Sequence, residues 1–228
     1  DYILFSPGGF DVAYGDKLSS VLDITYLRPQ TFKGKASVSL LGASATVQGR
    51  AGERWSYAVG FRQHSNQYIL GSLDTRGRYT TSYTDLQALL GYKVSETLDL
   101  GLTAVVTRNV YGLVPESQTT AFGSALQPGM EIDIYFDGQE QDRYSTFLGA
   151  FTADWHPNSD WTVKSHLSLQ HIAESERYDI QSQYWLRQIS QGTSSSDTTD
   201  FGVGTFLEHA RNRLATDIAS FQIGRAHV

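Results

Sequence analysis

The sequence predicts an all-β fold, with strands long enough to cross a lipid bilayer as part of a transmembrane antiparallel β-barrel. Three observations carry that expectation. Apolar residues recur with a period of two over five successive segments from residue 54 onward. None of the five apolar faces holds an ionised side chain. Short polar turns alternate with long polar stretches, as tight turns and large external loops do in outer-membrane barrels.

Before residue 54 the pattern is weaker, and 33–41 and 43–49 read as two shorter strands broken near Gly42. The first clear face is Trp55, Tyr57, Val59 and Phe61, and the second is Leu86, Ala88, Leu90 and Tyr92. Leu98, Leu100, Leu102, Ala104 and Val106 make the third. Phe147, Gly149, Phe151, Ala153 and Trp155 follow, then Trp161, Val163, Ser165, Leu167 and Leu169. Each segment spans about 9–12 residues, the length that crosses a bilayer core at a tilt, whereas strands of soluble proteins cluster near 5–6. A Lys or Arg facing lipid at midplane would cost roughly 2–4 kcal/mol, which accounts for the clean sorting. Beyond residue 200, Phe201, Val203, Thr205 and Leu207 alternate, as do Leu214, Thr216 and Ile218. About nine strands are expected in all.

Short turns are expected at Gly52-Glu53, Ser95-Glu96-Thr97, Pro157-Asn158-Ser159-Asp160 and around Asn212, with long loops at about 64–81, 110–143 and 172–199. Trp55, Tyr57, Tyr92, Trp155 and Trp161 lie close to the short turns, where amphipathic rings would form a girdle at headgroup level. The Ser- and Thr-rich stretch 191–200 reads as a loop tip.

Composition narrows the chemistry. A net charge of −6 gives no electrostatic reason to expect nucleic acid. The absence of Cys removes disulfides, thiol nucleophiles and Cys-based metal sites. His64, His156, His166, His171 and His209 are scattered without metal-ligand spacing, and His166 and His171 have opposite parity. No nucleophile elbow or phosphate-binding loop is present, so no enzyme activity, catalytic residue, metal or cofactor is expected. Glu131, Asp133, Asp137, Glu140 and Asp142 crowd one polar stretch. Their spacing is not that of an EF-hand, and a solvated acidic loop is the expectation over a calcium site.

The N-terminus carries a more specific sign. After Pro7-Gly8-Gly9-Phe10 come a Tyr14-Gly15 turn, a small-residue step at Leu18-Ser19-Ser20, an apolar strand at Val21-Leu22-Asp23-Ile24 and a basic exit at Arg28-Pro29. In that order these elements resemble the last segment of the plug domain of TonB-dependent outer-membrane receptors, in wording most like the Bacteroidota versions. The resemblance implies that residues 1–30 end a plug and that 31–222 begin a barrel of 22 strands. It implies placement in the Gram-negative cell outer membrane and energised uptake of an iron chelate, cobalamin, glycan or peptide. The implied partners are TonB, through a box upstream of Asp1, the external substrate and outer-membrane lipid. Phe10, Tyr111, Tyr135, Phe136 and Tyr184 are then the candidate substrate contacts.

A passive outer-membrane porin or adhesin barrel without TonB coupling is the alternative. A soluble glycan-binding β-sandwich is a third class, which explains the alternation but not the sorted charges. Residues 223–228, Ile-Gly-Arg-Ala-His-Val, match the translated start of a common sequencing adapter and are expected not to be natural sequence. The chain is accordingly expected to be cut at both ends.

Overall fold

The computed structural model describes residues 2–9, 14, 19–26, 28–70, 77–123, 129–189, 198–200 and 205–227. Two strands, β1 (Tyr2–Ser6) and β2 (Val21–Thr25), form an antiparallel ribbon of their own. The main sheet begins with β3 (Lys33–Ser39), β4 (Gly42–Ala51) and β5 (Trp55–Ser65). A one-turn helix, α1 (Gln67–Leu70), precedes β6 (Gly77–Lys93), β7 (Leu98–Pro115) and β8 (Gln118–Phe122). The longest strands follow: β9 (Gly129–Asn158), β10 (Trp161–Ile189) and, after β11 (Thr198–Asp200), β12 (Thr205–His227).

The spatial order is β3-β4-β5-β6-β7-β9-β10-β12, all neighbours antiparallel, with β8 added to β9 and β11 to β10. Period-two alternation forms these strands, and the turn chemistry joins them. Gly52 takes a φ of 66°, open to glycine without strain, in the turn from β4 to β5. The Ser95 hydroxyl accepts the Thr97 amide (3.2 Å) between β6 and β7. The Asn158 side chain accepts the Asp160 amide (3.1 Å) between β9 and β10, an Asx turn.

Register then fixes which side chains share a row. Phe61, Leu86, Val106 and Phe147 lie opposite one another across four strands. Tyr57, Leu90, Leu102, Phe151, Leu167 and Ile223 make the next apolar row but one. These side chains form a band on one face, and Phe151 is 41% exposed. Among the described residues, Val21 is the single buried hydrophobic. Among the described residues the main sheet is one layer; the β1–β2 ribbon shares a cavity of about 630 Å³ with its polar face but forms no ladder with it.

The structure corrects the barrel expectation. The sheet is open and does not curl or close, and among the described residues β3 and β12 do not pair. No division into plug and barrel is seen: β2 pairs with β1 alone, while Arg28 reaches Asp99 of β7 (2.6 Å). Residues 10–13 and 15–18, which hold much of the plug-like wording, lie outside the described residues. The reading as a TonB-dependent receptor and the porin or adhesin alternative both required that barrel, and so did the outer-membrane placement. All three are set aside with it. No described helix is long and apolar enough to cross a membrane.

Two further expectations change. Stretches 110–143 and 172–199, expected as loops, are mostly strand in β7, β8, β9 and β10 as far as 189, and 190–197 lie outside the described residues. From Gly138 to Arg143 both faces carry polar side chains, which hides the period from a hydrophobicity count, whereas Ile132, Ile134 and Phe136 do alternate with Glu131, Asp133 and Tyr135. Asn212 is no turn, because β12 runs through it opposite Tyr178.

One glycine is indispensable to this register. Gly138, within β9, has a φ of 102°, and a Cβ there would stand 1.9 Å from the Asp179 carbonyl oxygen. Gly138→Ala is expected to destabilise the fold by roughly 2 kcal/mol or more, through strain at positive φ and backbone overlap. Gly34→Ala, whose Cβ would come no closer than 3.9 Å to Thr46 O, should stay within about 0.5 kcal/mol. Urea unfolding midpoints measure both, and equal midpoints would show that β9 shifts freely at Gly138.

Candidate functional site

The chain places acids and bases at alternate positions where β9, β10 and β12 extend past the apolar band. In β9 the run is Glu140, Gln141, Asp142, Arg143; in β10 it is Glu174, Ser175, Glu176, Arg177. Successive side chains of a strand point to opposite faces. All four carboxylates therefore fall on the face of Arg62 and Asp85, while the arginines fall on the face of the apolar band.

On the acidic face, one row runs Thr81, Tyr111, Asp142, Glu176, Leu214 across five strands. Flanking rows bring Tyr79, Leu113, Glu140 and Tyr178 together, and Tyr83, Asn109, Tyr144 and Glu174. Asp142 stands directly opposite Glu176, a like-charge pair that costs stability. Asp142 is 9% exposed, and its Oδ1 is buried with no hydrogen-bond partner; the same is true of Thr81 Oγ1 in the same row. The Tyr144 hydroxyl donates to Glu176 Oε1 (2.6 Å). No described Lys or Arg forms an ion pair with Glu140, Asp142, Glu174 or Glu176. Arg62, on this face, is held by Asp85 (2.6 Å) and lies 5.1 Å from the Tyr83 ring centre.

The electrostatics follow. Burial pushes the Glu140 carboxyl above its usual range, and the charges on Asp142 and Glu176 push it further. Burial also raises the Tyr111 phenol, with Glu140, Tyr79 and Asp142 adding to the effect. The hydrogen bond to Glu176 lifts the Tyr144 phenol to about 12.

On the opposite face, at the same height, stand Arg78, Arg108, Arg143, Arg177, Arg211 and Arg213. Arg177 lies directly opposite Arg213, and Arg211 opposite Asp179. A groove of about 320 Å³ runs beside Arg177, Arg211 and Arg213. Asp179 takes a hydrogen bond from His209 (2.6 Å), which holds its carboxyl below the usual range. Asp217 pairs with His171 (2.9 Å). Arg108, Arg177 and Arg213 have no carboxylate partner among the described residues.

Parity divides the acidic run that had suggested calcium. Glu140 and Asp142 face one way, and Asp137, Asp133 and Glu131 the other. Arg187 ion-pairs with Asp133 and Glu131, and Thr119 donates to Asp133 Oδ1 (2.5 Å), so those two carboxylates are occupied. No described cluster of His, Asp or Glu is arranged to hold a metal ion. The candidate contact residues scatter likewise. Tyr111 lies within the acidic patch, and Phe10 is outside the described residues. Phe136 lies about 20 Å from Asp142 along β9 and Tyr184 about 27 Å from Glu176 along β10, at 3.4 Å per residue, and Tyr135 is on the other side of β9 from Phe136. The sequence reading singled out Tyr111 but not Thr81, Tyr144, Glu174 or Glu176. The alternating acid–base runs were the signal that would have found the two glutamates.

Glu140 gives a pH test with a fixed sign. Its neutral form is favoured in the folded chain, so its contribution is fully present below the ordinary carboxyl range and is lost as pH rises through the raised one. Asp142→Asn removes the neighbouring charge, so it should raise the thermal midpoint at pH 8 and change it little at pH 4. A midpoint lowered equally at both values would mean that Asp142 makes a stabilising contact instead.

No family model matches the chain, and no similar protein emerged from the comparisons with curated proteins and solved structures.

Proposed function

We propose that the chain is a non-catalytic binding module that seats an anionic amphiphile on one face of its sheet, acyl chains on the apolar band and headgroup on the arginine belt. The observation that carries this reading is the adjacency of the two surfaces. The rows through Phe61, Val106, Phe151 and Leu167 present half-exposed aromatic and aliphatic side chains. Directly beyond them the same face changes to arginine. Arg177 and Arg213, opposed without a carboxylate between them, leave a like-charge contact that an anionic headgroup would relieve.

The two parts contribute differently. Covering the exposed remainder of each of the band's many large apolar side chains, most of them already more than half covered, is worth about 1 kcal/mol. Each Arg near an anionic surface adds about 1 kcal/mol and is screened by salt. The band therefore supplies most of the affinity, and the belt selects the sign of the headgroup. A zwitterionic lipid satisfies the first part and not the second. Clefts with converged nucleophile and base are what enzymes need; an extended amphipathic face suits adsorption instead.

Vesicle flotation tests the proposal. The full chain should float with phosphatidylglycerol vesicles, and much less with phosphatidylcholine vesicles. Arg177→Gln with Arg213→Gln should weaken binding to the anionic vesicles by about tenfold, with little change on neutral ones. Phe151→Asp should weaken both. Equal flotation with both lipids, or a chain that self-associates through the band and ignores vesicles, would overturn the reading.

A further inference from the structure

The acidic patch lies on the face that the amphiphile reading does not use. Three features set it apart from an ordinary solvated acidic surface. Asp142 is nine-tenths buried, with Oδ1 lacking any partner. Glu176 stands directly opposite it, and Glu140 and Glu174 lie two residues away on the same two strands. Tyrosines enclose the carboxylates: Tyr111 beside Asp142, Tyr144 opposite Glu174 and Tyr178 opposite Glu140.

What completes such a patch must be positive, and its shape says more. A point cation needs three or more oxygens converging on one centre, and no described cluster does so. Here the carboxylates form a lattice, about 6.8 Å apart along a strand and about 5 Å across to the next. Charges spread along a line meet that lattice better than one concentrated ion. Tyrosine faces attract ammonium groups through the ring quadrupole and tolerate methylene chain between them. A linear polyamine has that pattern, with ammonium groups a few methylenes apart and apolar stretches between.

We propose that the patch around Asp142, Glu176, Glu140 and Glu174 is a binding site for a linear polyamine. One ammonium group takes the buried Asp142 Oδ1 and relieves the repulsion with Glu176. The rest of the chain extends along β9 and β10 past Tyr144 and Tyr178. No bond is made or broken.

Isothermal titration of spermidine into the full 228-residue chain tests the site. Saturable binding is expected, weakened at high salt, and reduced about tenfold or more by Asp142→Asn combined with Glu176→Gln. Glu140→Gln combined with Glu174→Gln, which leaves the buried Asp142 intact, should also weaken it, so the test survives if the first variant fails to fold. Glu96→Gln, in the turn beyond Lys93, is the control and should bind as the parent does. Non-saturable binding, or equal loss in the control, would reduce the effect to the net charge of −6 and overturn the site. Calcium that binds saturably and displaces spermidine at comparable concentration would overturn the polyamine assignment.

Discussion

The antiparallel ladder is the constraint on which everything else in this molecule depends. Most folds are held by a core, with hydrogen bonds keeping the backbone satisfied inside it. Here Val21 is the one buried hydrophobic among the described residues, so the sheet cannot owe its register to packing between layers. Register comes from the strands themselves, paired residue against residue over as many as 28 positions between β9 and β10. Cross-strand contacts within each face then supply the side-chain energy, at roughly 0.2–1 kcal/mol for a favourable pair.

Such a ladder converts sequence parity into surface chemistry with little loss. A slip of one residue would exchange the faces entirely. Asp142 next to Arg143, and Glu176 next to Arg177, are unremarkable as dipeptides. Laid on adjacent strands in register, they put like charges opposite each other: Asp142 against Glu176 on one face, Arg177 against Arg213 on the other. Opposite charges at the same height are separated by the thickness of the sheet instead of being paired across it. A sequence selected only for a stable sheet would stagger them by one residue and gain ion pairs. Elsewhere the chain does pair its charges, at Arg62 with Asp85 and at Arg28 with Asp99. The failure to pair is therefore local, and it coincides on both faces.

The sequence made some of this legible and hid the rest for identifiable reasons. The five alternating segments needed only the contrast of apolar against small or polar residues, and Trp55 to Phe61 or Leu98 to Val106 show it plainly. The turns at Gly52 and Asn158 announced themselves by residue type. Where both faces are polar, as from Ile172 to Ile189, a hydrophobicity period has nothing to register, and strand was read as loop. A turn was expected around Asn212, a residue type that favours turns, yet its backbone pairs on through β12. Sheet closure and curvature are not local properties. They follow from twist and stagger accumulated over many strands, which is why alternation and strand length could not distinguish an open sheet from part of a barrel. The candidate site was legible only in part: Tyr111 stood out as an aromatic in a polar stretch, whereas Asp142 and Glu176 lie far apart in sequence and meet only through the β9–β10 register.

The open sheet also bears on how the two faces can act together. A single layer with so little buried apolar surface among the described residues has few ways to adjust one face independently, because every backbone position carries a neighbour pointing the other way. Asp142 and Arg143 share a backbone, as do Glu176 and Arg177, so ordering β9 and β10 through one face orders the same strands for the other. Any ligand that settles the acids fixes the spacing of the arginines behind them. That coupling requires no moving part; it is a property of the pleat, and Gly138, held at a φ that other residues resist, lies just beyond the rows where the two surfaces stand back to back.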